Sequence, residues 1–527
     1  MKLTDILTPG FDPAPWKGYE LPRYNIQKLR EDTFREPTWV HFGGGNIFRA
    51  FPAAILNDAL NSGRYNRGVI VAETFDYEVI DKAYIPYDNL SLYVSLKGNG
   101  TVEKKVIASV TEALKADYAF PDWQRLREVF RAPSLQMISF TITEKGYTYN
   151  DADLARGLQP VLAMGKVAAL LYERWLAGAL PVTVQSMDNC SHNGDKVKAG
   201  VLAYAERWVS GGLVPKDFLD YLQDGTRVTF PWSMIDKITP RPHIKVKEML
   251  EADGFEDNTY IETEKHTFTA PFVNAEQTQY LVIEDNYVNG RPPLDLGGAL
   301  YTTRETVDKV ETMKVTTCLN PLHTAMSLYG CMLGYTLISA EMADPDISAL
   351  VRKLGYLEAM PVVTDPGIIN PREFIDAVIE QRLPNPFMPD APQRIAMDTS
   401  QKLSIRFGET IKKYLARGMD MNSLVLIPLV LAGYARYLKG IMDCGTPFQC
   451  SPDPLLEELQ ATVAPLEIGK PEQDWSCLKK LYSRADVFGV NLYEAGLGER
   501  VEGMVKELYA GPGAVRSTLH KYVVGVM

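Results

Sequence analysis

Thr38-Trp-Val-His-Phe-Gly43-Gly-Gly45 decides the fold, together with the stretch Asn46 to Leu60 that follows it. A short apolar strand runs into glycines, and Phe48, Phe51, Ile55, Leu56 and Leu60 then recur at the spacing of one amphipathic helix. Such a strand, glycine turn and helix make a phosphate site: glycines let the backbone approach a pyrophosphate, and the positive end of the helix faces it. The dinucleotide pattern GxGxxG is met at two positions, Gly43 and Gly45, with Phe48 at the third. A tight turn between any strand and helix would look the same. Gly43, Gly45, Asn46, Ile47, Phe48 and Arg49 are expected to line a cofactor site.

Val69-Ile-Val-Ala72 reads as a second buried strand, ending at Glu73 with Asp76 just beyond. An acid there binds ribose hydroxyls and repels the extra phosphate of NADP, which points to NAD, although the interval from the glycines exceeds the usual ~20 residues. The β-rich run Gln136 to Thr143 ends in Glu144-Lys-Gly-Tyr147, and Val182 to Ser186 precedes Asp188-Asn-Cys-Ser-His-Asn-Gly194. Ligands of open α/β sheets bind beyond the carboxyl ends of strands, so Glu144 is assigned to the cofactor and Asn189 to the reacting oxygen. Asp188 and Asn189 capping the next helix is the plainer alternative. Phe230 to Pro240 and Leu281 to Asn286 continue the short strands ending in acids.

After about residue 300 the spacing turns helical, over 300–341, 346–356, 372–382, 401–417, 421–440 and 496–509. The expected fold class is therefore α/β: a Rossmann-type nucleotide-binding domain over 1–298, then a mainly α-helical substrate and catalytic domain over 299–527. The stretch 442–480 carries no readable pattern.

Within that second part, Met313-Lys-Val-Thr-Thr-Cys-Leu-Asn-Pro-Leu-His323 gathers a base (Lys314), an amide (Asn320) and an imidazole (His323). The set suits removing a proton from an alcohol. A lysine base must lose its own proton near neutral pH, well below its usual ~10.4, and apolar surroundings favour that. Pro321 predicts a break, with Asn320 capping a new helix and Pro321 at its first position. Three such residues also fall together by chance in many chains.

Composition excludes several classes. With 46% hydrophobic and 23% charged residues the chain is an ordinary globular protein, and its net charge of -11 argues against holding nucleic acid. Six cysteines without CxxC spacing fit a reducing cytoplasm, and the six histidines form no HxxxH or HxH pair, so no metal is expected. No apolar run reaches the roughly 18 residues of a membrane span. Nothing demands a partner chain, so a cytoplasmic monomer is expected.

Taken together, the stretches resemble the long-chain polyol dehydrogenase family, of the mannitol dehydrogenase and D-mannonate oxidoreductase type. The resemblance runs from Val40 to Phe407 through seven ordered motifs: His41 to Ala50, Thr141 to Tyr147, Asp188-Asn189 with Asn193-Gly194, Ser233 to Pro240, Val282 to Asp285 with Gly290-Arg-Pro292, Lys314 to His323, and Arg394 to Lys402. It implies that Lys314 is the general base in oxidation, with Asn189 and Asn320 hydrogen-bonding the oxygen and His323 orienting the substrate. It places Asp236, Arg394 and Lys402 in the substrate site and Glu311 as a proton relay, with NAD as cofactor and no metal. One departure stands out: five residues separate Lys314 from Asn320, against four in the family, and one extra residue turns a helix by about 100°. The Pro321 break or a π-bulge would absorb it.

The implied reaction is reversible hydride transfer between NAD and a secondary alcohol of a linear sugar derivative. D-mannonate/D-fructuronate comes first, with Arg394 as the fork for a carboxylate and Lys237, Arg241 or His243 near the pocket. Mannitol/fructose and tagaturonate follow. An NAD-containing epimerase or isomerase is the competing enzyme class, and a non-catalytic sugar-acid sensor the third.

Overall fold

The computed structural model describes residues 1–525 and divides into two compact units: residues 1–97 with 101–308, and residues 98–100 with 309 onward. In the first, β1 (Trp39–Phe42), β2 (Val69–Glu73), β3 (Val110–Lys115), β4 (Met137–Phe140), β5 (Val182–Ser186) and β6 (Val228–Thr229) form one parallel sheet, ordered β3-β2-β1-β4-β5-β6. That is the strand order of dinucleotide-binding sheets, which bind ligand where the order reverses beside β1.

Every residue of β1, β2, β4 and β5 is buried, as parallel strands covered on both faces require. Val40 and Phe42 pack on one side with Ile70, Ile138 and Leu170, while Trp39 packs on the other with Val71, Met137 and Leu56. His41 is polar yet fully enclosed. Its ring nitrogens meet Ser139 Oγ at 2.7 Å and Thr141 Oγ1 at 2.8 Å, and burial holds its pKa well below the ordinary value, so the ring is neutral.

The helix after the glycines is not continuous. α1 (Asn46–Ala50) stops at Phe51, whose backbone (φ −130°, ψ −80°) leaves the helical region, and α2 (Pro52–Asn61) starts afresh with proline in its first turn. Nor do the later strands extend the main sheet. Ser233–Asp236 pairs antiparallel with Tyr280–Glu284, and Leu300–Thr302 completes this separate three-stranded sheet.

The second unit is helical. The helical spacing over 300–341 resolves into α3 (Arg304–Met313), a π-helical turn Lys314–Cys318, and, past the break expected at Pro321, α4 (Asn320–Leu333), which Gly334 closes at φ +83°. Three more π-helical turns follow, at Leu354–Ala359, Val378–Arg382 and Ser404–Gly408. All twelve residues of α5 (Leu426–Tyr437) are buried. Its free amides are met by the enclosed Glu358, which accepts from Val425, Leu426 and Ile427 N–H at 2.8, 2.6 and 2.8 Å. The unreadable stretch 442–480 holds two helices, Leu456–Val463 and Ser476–Tyr482. Among the described residues no helix is long and apolar enough to cross a membrane.

Candidate functional site

The glycine loop leaves β1 with Gly43 at φ +103°, where a Cβ would stand 2.2 Å from the Thr141 carbonyl oxygen. Only glycine passes β4 that closely. A Cβ on Gly45 would meet nothing within 4 Å, so the loop is open on that side. Gly45 also precedes α1, whose first amides have no side-chain cap.

The side chains expected to serve the cofactor are largely committed within the protein. Asn46 Nδ2 donates to the Phe268 carbonyl at 3.0 Å, and the buried Arg49 donates to the Ala270 carbonyl at 2.8 Å and to Thr269 Oγ1. Both fasten the loop to the hairpin Ile261–Glu262 and Phe268–Thr269. Phe48 stacks on His41 with ring centroids 4.2 Å apart, filling the place of the pattern's third glycine, and Ile47 is half-buried.

Glu73 accepts from the N–H groups of Gly44, Thr74 and Phe75 at 2.8, 3.0 and 3.0 Å, clasping the glycine loop to the end of β2. Asp76 accepts from the hydroxyls of Thr263, at 2.6 Å, and Thr267. Glu144 lies on an exposed turn, paired with Lys196. Asp188 caps no helix: it accepts from Ile142 and Thr143 N–H at 2.9 and 3.0 Å and from the Tyr147 hydroxyl at 2.5 Å, joining the loops after β4 and β5. Burial raises its pKa despite those donors. Asn189 beside it is exposed, and the buried Asp236 ends its strand.

Lys314, Asn320, His323, Arg394 and Lys402 all belong to the second unit. Lys314 opens the π-helical turn and is 3% exposed. The Leu319 N–H bonds the Lys314 carbonyl five residues back at 3.1 Å, so one turn takes up the extra residue and spares α4 a 100° rotation. The expected cap is displaced by one position. Leu319 (φ −130°, ψ −62°) precedes the helix, Asn320 is its first residue and Pro321 its second, where a missing N–H breaks no hydrogen bond.

His323 lies in the first turn of α4. Burial, then Arg382, Arg406 and Arg394, lower its pKa to about 3, so the ring is neutral and offers one donor and one acceptor. Arg394 does not present the open fork expected of it. Its Nε and Nη2 meet Asp390 Oδ1 at 2.7 and 2.6 Å, a contact between residues four apart in sequence. Lys402 donates to the Met397 carbonyl, and burial with Arg406 nearby lowers its pKa to about 8.

Two further residues escaped the sequence reading. Arg406 follows Lys402 by four positions and donates to Thr324 Oγ1, next to His323; its spacing from Lys402 is a signal that was available. Arg382, 3% exposed at the end of its π-helical turn, had none. Behind Asp390 lies Glu341, 0% exposed, with no hydrogen-bond partner for either oxygen among the described residues. Burial, Asp390 and Asp344 raise its pKa to about 9, so it is neutral and leaves the charge of Asp390 to Arg394. An enclosed amine, a neutral imidazole, an amide and several basic groups suit proton removal from an alcohol.

Comparison with known proteins follows this division. Residues 37–296 match the model of the mannitol dehydrogenase Rossmann domain, and residues 306–508 that of the mannitol dehydrogenase C-terminal domain. The chain is 53% identical over 528 residues to the D-mannonate oxidoreductase of Thermotoga maritima, covering 97% of each. It is 28% identical to the mannitol 2-dehydrogenase of Phaeosphaeria nodorum over 440 residues, 80% of this chain and 72% of that one. Among solved structures, the ternary complex of Pseudomonas fluorescens mannitol 2-dehydrogenase with NAD and D-mannitol matches at TM-score 0.68 and 25% identity over 96% of both chains. A D-sorbitol dehydrogenase in substrate-free form shares the fold at TM-score 0.77 and 23% identity, over 95% of this chain and 97% of that one.

Proposed function

The chain belongs to the mannitol dehydrogenase family and is an oxidoreductase, and from that premise we propose that it interconverts D-mannonate and D-fructuronate with NAD. The observation that carries the substrate is the 53% identity, across 97% of both chains, to a D-mannonate oxidoreductase. Preference for NAD is supported by the acids Glu73 and Asp76 at the end of β2, which disfavour a second phosphate on the ribose.

In this reading NAD, when bound, supplies the hydride acceptor, and the open face at Gly45 offers it backbone amides. Lys314 takes the hydroxyl proton as the alcohol is oxidised and returns it in reduction. Asn320, in the same unit as Lys314, hydrogen-bonds the reacting oxygen as charge develops on it. His323, held neutral, orients the substrate, and Arg394 and Lys402 line its polar surroundings. We place the enzyme in a reducing cytoplasm, a reading supported by six cysteines that are all free thiols.

The test is loss of NADH absorbance with purified protein offered D-fructuronate, D-tagaturonate and D-fructose separately, with NADPH in parallel. Selective turnover of fructuronate is expected. Selective turnover of fructose overturns the sugar-acid reading in favour of polyol chemistry. Substrate conversion without any change in NADH would move the protein to the isomerases.

A further inference from the structure

Arg406 is a half-buried guanidinium whose sole hydrogen-bond partner among the described residues is a neutral hydroxyl, Thr324 Oγ1. No carboxylate pairs with it, whereas Arg394 is already held by Asp390. A half-buried cation without a counter-ion carries a desolvation cost that an arriving anion would offset. Its position is equally specific. The π-helical turn Ser404–Gly408 that carries Arg406 packs on α4, next to His323, and on the π-helical turn that carries Lys314. A third such turn ends at Arg382, so three of the four π-helical turns among the described residues each contain a basic residue of this region. Widened turns of this kind recur at functional sites.

We propose that Arg406, assisted by Arg382, receives the substrate's carboxylate and so selects a sugar acid over a neutral polyol. The role rests on the sugar-acid reading above and moves the carboxylate contact from Arg394 to Arg406. A planar fork suits a carboxylate, and the neutral His323 beside it adds no competing charge.

The experiment compares Arg406→Met and Arg406→Lys with wild type in the full-length chain, measuring KM for D-fructuronate and D-fructose with NADH. Inhibition by D-mannonate and D-mannitol serves as the second readout. For Arg406→Met the KM ratio of fructuronate to fructose is expected to rise about 100-fold, with partial recovery in Arg406→Lys or on adding guanidinium ion. The inhibition constant of mannonate should move in the same way relative to that of mannitol. An unchanged ratio, whether both constants move together or neither does, overturns the proposal. NADH binding and thermal melting establish that each variant is folded; should Arg406→Met fail there, Arg406→Lys and Arg382→Lys carry the same comparison. The wild-type substrate profile tests the sugar-acid reading separately, since that reading falls if wild type ignores every uronate.

Discussion

Replacing Glu341 by glutamine removes an acid that the fold encloses with no partner for either oxygen. Its carboxyl lies against α4, where a Cβ on Gly330 would stand 1.5 Å from Oε1. Burial raises its pKa from an ordinary 4.5 to about 9 in the folded protein. Between those values the native state holds a proton that the unfolded chain has released, so stability falls as pH rises across the window. At about 1.4 kcal/mol per pH unit, the loss at pH 7 is roughly 3 kcal/mol, against under about 1 kcal/mol at pH 5. Glu341→Gln abolishes this titration. Urea denaturation of both proteins at pH 5, 6, 7 and 8 should show the variant gaining on wild type by about 1.4 kcal/mol for each unit, superimposed on a constant offset from the new amide. A difference between the two that stays level across this range would mean that the carboxyl is ionised or hydrated in the folded state, and the reasoning would fail.

Lys314→Ala should lower turnover by roughly 100- to 10,000-fold while NADH binding, followed by fluorescence, stays near wild type. Near-normal turnover at neutral pH would dismiss the lysine as base. Because Lys402 loses its charge near pH 8, KM for the sugar acid should climb as pH passes that value, and Lys402→Arg should postpone the rise; coincident profiles would exclude Lys402 from binding. Glu358→Ala leaves three amides of α5 without their acceptor and should cost about 2–4 kcal/mol, read as a lower melting temperature. Deleting Val315 should restore the four-residue spacing and close the π-helical turn as an ordinary α-helical one, with Lys314 and α4 facing as before, so turnover should stay within about tenfold of wild type. A collapse of turnover with NADH binding retained would show that the bulge does not absorb the extra residue.

The main sheet was legible because parallel strands buried on both faces read as β-rich, mostly apolar runs: Val69-Ile-Val-Ala72 is unbroken, while Trp39–Phe42 carries only His41 and Val182–Ser186 keeps its β-branched residues Val182, Thr183 and Val184. Which sheet a strand joins is a long-range matter, and Ser233–Asp236 looked like a continuation while pairing elsewhere. The break at Phe51 was announced by Pro52, but the apolar spacing on either side masked it. At the site, residue types could be read and their commitments could not. Arg49 and Asn46 turn to a hairpin more than two hundred residues away in sequence, and nothing local records that. The capture of Arg394 by Asp390 is different, since a four-residue separation of opposite charges is visible in any sequence. Arg382 acquires meaning only once the helices are packed.

The π-helical turn at Lys314–Cys318 also bears on how this chain should be compared with its relatives. A residue gained inside a helix ordinarily throws everything after it out of register, and selection removes it. A bulge confines the damage to a single turn, so the lineage could keep the gain and leave the residues on either side facing as before. An ungapped alignment through 314–320 would then pair Lys314 or Asn320 with the wrong position of a shorter relative. The gap belongs between Val315 and Leu319, and a relative with one residue fewer should close that stretch as a plain α-helical turn.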